Sequence, residues 1–126
     1  MARPRVLATA SLIASLTSCG GGTPSGPSTA DNPNQMTISA AGRLTPSEIT
    51  IAAGARVLFI NNHSRSHQIA SDPHPEHTDC PEINQVGVLA PGQRRETGNF
   101  VIARTCGLHD HDDPDNASLK GRIVIR

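Results

Sequence analysis

The 126-residue chain predicts an all-β fold, most simply a sandwich of two sheets. Three observations point to it. Short runs rich in Ile, Val, Leu and Thr recur from residue 36 onward, with Gly, Pro and Asn between them. No segment keeps a helical period for more than two turns. Only Phe59 and Phe100 supply large rings, so the core falls to Ile, Val, Leu and Ala.

Residues 1–19 read as a processing signal ahead of that fold. Arg3 and Arg5 give a positive start, and Val6 to Leu16 is an uncharged, mostly apolar run. It is shorter than the roughly 20 residues that span a bilayer. Leu16-Thr17-Ser18-Cys19 then resembles the bacterial lipobox, in which the cysteine takes a lipid and becomes the mature N-terminus. The resemblance implies a lipid on Cys19 and a membrane-anchored protein of the cell envelope. Gly20 in place of Asp after the cysteine implies the outer membrane, facing the periplasm, where the cell has one. Residues 20–35 are rich in Gly, Ser, Pro and Thr without a large apolar side chain, the composition of a flexible tether.

The domain occupies residues 36–126. Met36 to Ala40 alternates apolar and polar, as a half-buried strand does. Ile49 to Ile51 forms a second run, ended by Ala53-Gly54, and Arg56 to Ile60 a third, closed by Asn61-Asn62. His67 to Ala70 begins a further strand. Residues 71–84 hold three prolines and four potential ligands, and read as a long, partly rigid loop. Val86 to Leu89 returns to strand character before the turn Ala90-Pro91-Gly92. Residues 94–103 fit either one long strand or a hairpin around Gly98-Asn99. Cys106 to Leu119 reads as a polar, acidic loop, and Arg122 to Ile125 as the strand that closes the sheet.

Charge excludes one class of partner. Beyond Cys19 the chain keeps nine of its eleven basic residues and all eleven acidic ones, a net charge near −2, with no basic patch interleaved with aromatics. No nucleic-acid partner is expected. Asp110, Asp112 and Asp115 resemble a calcium loop in spacing, but Pro114 takes a ligand position and no Gly follows. A Cys-His hydrolase would need an oriented third group and an oxyanion pocket, which nothing specifies. The chain is not expected to be an enzyme.

The residues that remain are metal ligands by type. All six histidines fall between residues 63 and 111. Cys106, His109 and His111 lie close together, and His67 begins a strand about forty residues earlier. Imidazole suits both oxidation states of copper, and a thiolate stabilises the reduced ion. Cys80 offers a competing fate for Cys106, since two cysteines in an exported protein usually form a disulfide. His74, His77 and Cys80, at three-residue intervals, are a second candidate metal set, or a purely structural loop.

From residue 36 to the end the chain resembles the cupredoxins, the family of plastocyanin and azurin. The matching pieces begin with Pro46-Ser47-Glu48-Ile49-Thr50-Ile51, Ala53-Gly54 and Val57-Leu58-Phe59-Ile60-Asn61-Asn62. They continue with Ser66-His67-Gln68-Ile69, Leu89-Ala90-Pro91-Gly92, Cys106-Gly107-Leu108-His109 and Leu119-Lys120-Gly121-Arg122-Ile123-Val124-Ile125. The resemblance implies a Greek-key sandwich with a copper ion on His67, Cys106 and His109. The family's axial Met is absent, so His111, Asp112 or a backbone carbonyl would take that place, or solvent would reach it. Arg104 and Thr105 stand where aromatics commonly precede the cysteine. The function implied is single-electron transfer between redox partner proteins in the cell envelope. The alternatives are copper binding and delivery, or a β-sandwich stapled by Cys80 and Cys106 that serves as an interaction module.

Overall fold

A computed structural model describes residues 33–126. The signal segment, Cys19 and most of the tether lie outside the described residues. Two sheets form a Greek-key sandwich, as expected. One has the order β2-β1-β4-β7, the other β3-β9-β8-β5-β6. The strands are β1 (Gln35–Ile38), β2 (Leu44–Thr45), β3 (Glu48–Ile51), β4 (Leu58–Asn61), β5 (His67–Ser71), β6 (Gly87–Leu89), β7 (Arg94–Glu96), β8 (Thr105–Asp110) and β9 (Gly121–Ile125). One helical turn, α1 (Pro81–Asn84), interrupts them between β5 and β6, and a 3-10 turn at Ala117–Leu119 precedes β9.

Alternation builds the core. In β1, β3 and β4 every second residue is buried, which puts Met36, Ile38, Ile49, Ile51 and Phe59 between the sheets. Phe100 and Ile83 fill the same core from a loop and from α1. Asn61 fastens the two sheets at one end. It is fully buried, and its Nδ2 donates to the carbonyls of Arg65 (2.7 Å) and Leu89 (2.9 Å) while its Oδ1 accepts from the His63 N–H (2.9 Å).

Two sequence expectations change. The stretch from Cys106 to Asp110 is strand, not loop: it pairs with β5 on one side and β9 on the other. Its ladder bonds and buried Cys106 and Leu108 outweigh the polar composition that follows. Residues 94–103 are neither a long strand nor a hairpin. β7 ends at Glu96, and Thr97 turns inward, its hydroxyl accepting from the Val57 N–H at 3.0 Å. The final strand forms as expected, and β9 lies inside its sheet, parallel to β3 and antiparallel to β8.

Candidate metal centre

The period of two along β8 sorts its side chains. Cys106, Leu108 and Asp110 share one face with His67, Ile69 and Ser71 of β5, as the pairs Ile69–Asp110 and Ser71–Leu108 show. His109 projects from the opposite face, beside its partner Ala70. That outer face is not open to solvent. The segment after β5 folds back over it, tied by the Asp72 N–H to the Gly107 carbonyl at 3.1 Å, and His109 is only 2% exposed. Gly107 permits this approach: a Cβ there would collide with the Asp72 carboxylate.

A disulfide locks the same segment down. Cys80 and Cys106 are bonded, with Cα atoms 5.9 Å apart. The pair joins the loop three residues after His77 to the strand three residues before His109. Arg104 Nη2 reinforces the link by donating to both carboxylate oxygens of Glu82, at 2.9 and 2.8 Å.

Four imidazoles meet under this arrangement. His74, His77, His109 and His111 each offer a nitrogen, all lying within 4.8 Å of one another. Two are held by partners behind them. His109 Nδ1 lies 2.6 Å from Asp72 Oδ1, and a carboxylate only accepts, so Nδ1 carries the proton and Nε2 the lone pair. His77 Nδ1 lies 2.8 Å from the Ser71 carbonyl, which turns its Nε2 inward too. That Nε2 is 2.8 Å from His111 Nδ1, so these two rings already converge. His77 adopts the left-handed φ of 55°, unusual for a side-chain-bearing residue. It is held there by its N–H to Pro73 O (2.7 Å) and by Asn84 Nδ2 donating to its carbonyl (2.7 Å).

The cluster fits a metal on two grounds. His109 Nε2 is buried without a hydrogen-bond partner, a costly state for a polar atom unless something binds there. Its other nitrogen is carboxylate-bound, as the imidazoles of metal sites commonly are. Desolvation, and then the like charges of His111, His109 and His77, hold the exposed His74 below the ordinary histidine range, with Glu76 opposing. Its imidazole is therefore neutral, and able to ligate, at lower pH than usual.

The sequence-predicted set is divided. His109 and His111 come together, joined by His74 and His77 from the loop that sequence had singled out separately. Cys106 does not join them, because its sulfur is committed to Cys80 and offers no thiolate. Residues three apart in a strand face opposite sides, so Cys106 and His109 could converge only on the loop that sequence suggested. His67 stands on the core side as well. Its Nδ1 donates to Asp110 Oδ2 (2.6 Å) and its Nε2 lies 2.8 Å from His63 Nδ1, forming a separate network. Asp112 is exposed and bonds through its N–H to Asp110 Oδ1 at 3.1 Å. The overlooked signal is the spacing His109-Asp110-His111, which in a strand and its immediate extension puts two imidazoles on one side.

No protein-family model matches the sequence, and no curated protein matches it significantly. Solved structures do. A purple cupredoxin from Nitrosopumilus maritimus is similar at 20% identity and a TM-score of 0.56, over 73% of this chain and 98% of that one. Plastocyanin from Dryopteris crassirhizoma is similar at 18% identity and 0.54, over 73% and 99%. Amicyanin from Paracoccus versutus is similar at 17% identity and 0.55, over 73% and 79%. Likeness at these identities shows the fold: residues 33–126 form a cupredoxin-like sandwich.

Proposed function

We propose that this chain is a copper-binding protein of the bacterial cell envelope, anchored by a lipid on Cys19, which exchanges single electrons with partner proteins. The observation that carries the copper reading is the buried, unpartnered His109 Nε2 at the centre of four imidazoles. Copper is favoured over other divalent first-row ions by a nitrogen-only donor set, following the usual order of affinities. His74, His77, His109 and His111 would hold it, and it would supply a one-electron couple there. Asp72 keeps the proton on Nδ1 of His109, and the Ser71 carbonyl does the same for His77. The disulfide fixes the loop to the strand, which limits rearrangement between the two oxidation states. His74, exposed at the rim, provides the edge that a partner can reach. No substrate turnover is implied.

A second reading, copper delivery, is favoured by that same rim position, since an exposed ligand on a loop can be exchanged for a ligand of an acceptor protein. Titration of the full chain with oxidised copper tests the common premise. One equivalent should bind with nitrogen couplings in paramagnetic resonance and without an intense thiolate-to-copper band, and His109→Ala should lose it. Loading with reduced copper and timing its loss to a competing chelator separates the two roles. Retention supports electron transfer, and rapid release supports delivery.

A further inference from the structure

Among the described non-glycine residues only His77 has a positive φ, 55°, and it is a member of the histidine cluster. That conformation is uncommon for a residue with a Cβ. Here it turns the imidazole back toward the end of β5, where Nδ1 donates to the Ser71 carbonyl at 2.8 Å. One side chain spans the turn. Asn84, in α1, uses both ends of its amide: Nδ2 donates to the His77 carbonyl (2.7 Å), and Oδ1 accepts from the Ser71 N–H (2.9 Å). It therefore bridges the ligand and the residue whose carbonyl orients that ligand.

Ser71 carries the bridge further. It is fully buried, and its hydroxyl donates to the Asp72 carbonyl (3.0 Å) and accepts from the Cys80 N–H (2.8 Å). Asp72, next in the chain, holds the proton on Nδ1 of His109. Two imidazoles from different elements thus take their supports from neighbouring residues, 71 and 72, and Asn84 fixes the first of these to the turn that presents His77.

We propose that Asn84 is a positioning residue of the metal centre, whose bridging amide holds the left-handed turn that aims His77 Nε2 into the cluster. Its purpose there rests on the copper reading above; the bonds themselves do not. The role demands an amide. Aspartate at this position would still accept from the Ser71 N–H, but it has nothing to donate and would turn a negative oxygen on the His77 carbonyl. Without that hold the turn is free to leave its uncommon φ, and His77 Nδ1 parts from the Ser71 carbonyl. A neutral imidazole released in this way takes up its proton on either nitrogen, and a proton on Nε2 blocks the lone pair that a metal needs.

Asn84 is exposed, so truncating it opens no void in the core, and Asn84→Asp keeps the Ser71 bond should Asn84→Ala fold poorly. Long-range proton–nitrogen correlations in the ¹⁵N-labelled, metal-free full chain, above the ordinary histidine range, report which nitrogen of each ring is protonated. In the unaltered chain His77 should hold its proton on Nδ1. In both variants its signals should move to a mixed or Nε2-protonated pattern. Copper, added alone and measured against a competing chelator, should bind about tenfold more weakly to both. Paramagnetic resonance should show the coupling of one ring lost. An unchanged His77 pattern in both variants overturns the proposal, even where the urea midpoint falls, because a purely structural role moves only the midpoint. A changed pattern with unchanged copper affinity overturns it as well. If the unaltered chain takes up no copper, the copper reading fails by itself, and the role of Asn84 at a metal centre falls with it, whereas the His77 pattern still shows whether the amide aims the ring.

Discussion

Removing the disulfide by Cys80→Ala with Cys106→Ala should damage both stability and metal binding, for one geometric reason. The bridge closes a loop of 26 residues between α1 and β8. The chain-entropy relation for a loop of that length gives about 3.5 kcal/mol of stabilisation through the unfolded state. Alanine is the informative replacement, because both cysteines are buried, at 1% and 0% exposed, and serine would add the cost of an unpaired hydroxyl. Urea denaturation of the metal-free full chain, followed by circular dichroism, reads the loss directly. The variant should lose about 3 kcal/mol and keep a cooperative transition. Copper affinity should fall about tenfold or more, because the loop with His74 and His77 is no longer tied to the strand with His109. A loss below about 1 kcal/mol would refute the loop-closure reasoning. Unchanged copper affinity would refute the idea that the bridge organises the site.

Other perturbations separate the parts. Asp72→Ala leaves a half-exposed position vacant but frees His109 Nδ1, and should weaken copper binding roughly 10- to 100-fold, measured by competition with a chelator, at little cost in stability. Asn61→Ala strands three backbone groups at the junction of the sheets and should cost about 3 kcal/mol in urea unfolding. The lowered pKa of His74 has a definite sign. The unfolded chain binds its proton more readily, so the metal-free domain should lose stability as pH falls below the ordinary histidine range and keep it above. His74→Ala should flatten that part of a pH series of denaturation midpoints.

Most of the sandwich was legible because its strands carry a local signal. Met36 to Ile38, Ile49 to Ile51, Leu58 to Ile60 and Ile123 to Ile125 alternate or cluster apolar residues, and the structure places each in a strand. Where the signal is not local, sequence reasoning fell short. The polar composition around Cys106 to Asp110 concealed a strand that is central because β5 and β9 pair with it from far along the chain. That error decided the site. On a loop, Cys106 and His109 can share an ion; in a strand they cannot, and the sulfur is free to meet Cys80. The choice between thiolate and disulfide depended on where the loop of residues 72–80 folds, and nothing within that loop encodes which face of the sheet it covers. His74 and His77 were visible as ligand types, but their meeting with His109 and His111 is a tertiary fact. The resemblance to cupredoxins placed the fold correctly and named a ligand set that includes residues on both sides of β8.

Addition of one equivalent of oxidised copper to the full chain, read by pulsed paramagnetic resonance and visible absorption, tests the central claim most directly. An all-imidazole centre predicts strong nitrogen couplings, a weak visible spectrum, no titratable thiol at Cys80 or Cys106, and loss of the bound signal in His109→Ala. An intense thiolate-to-copper band, or a copper signal undiminished by His109→Ala, would contradict it.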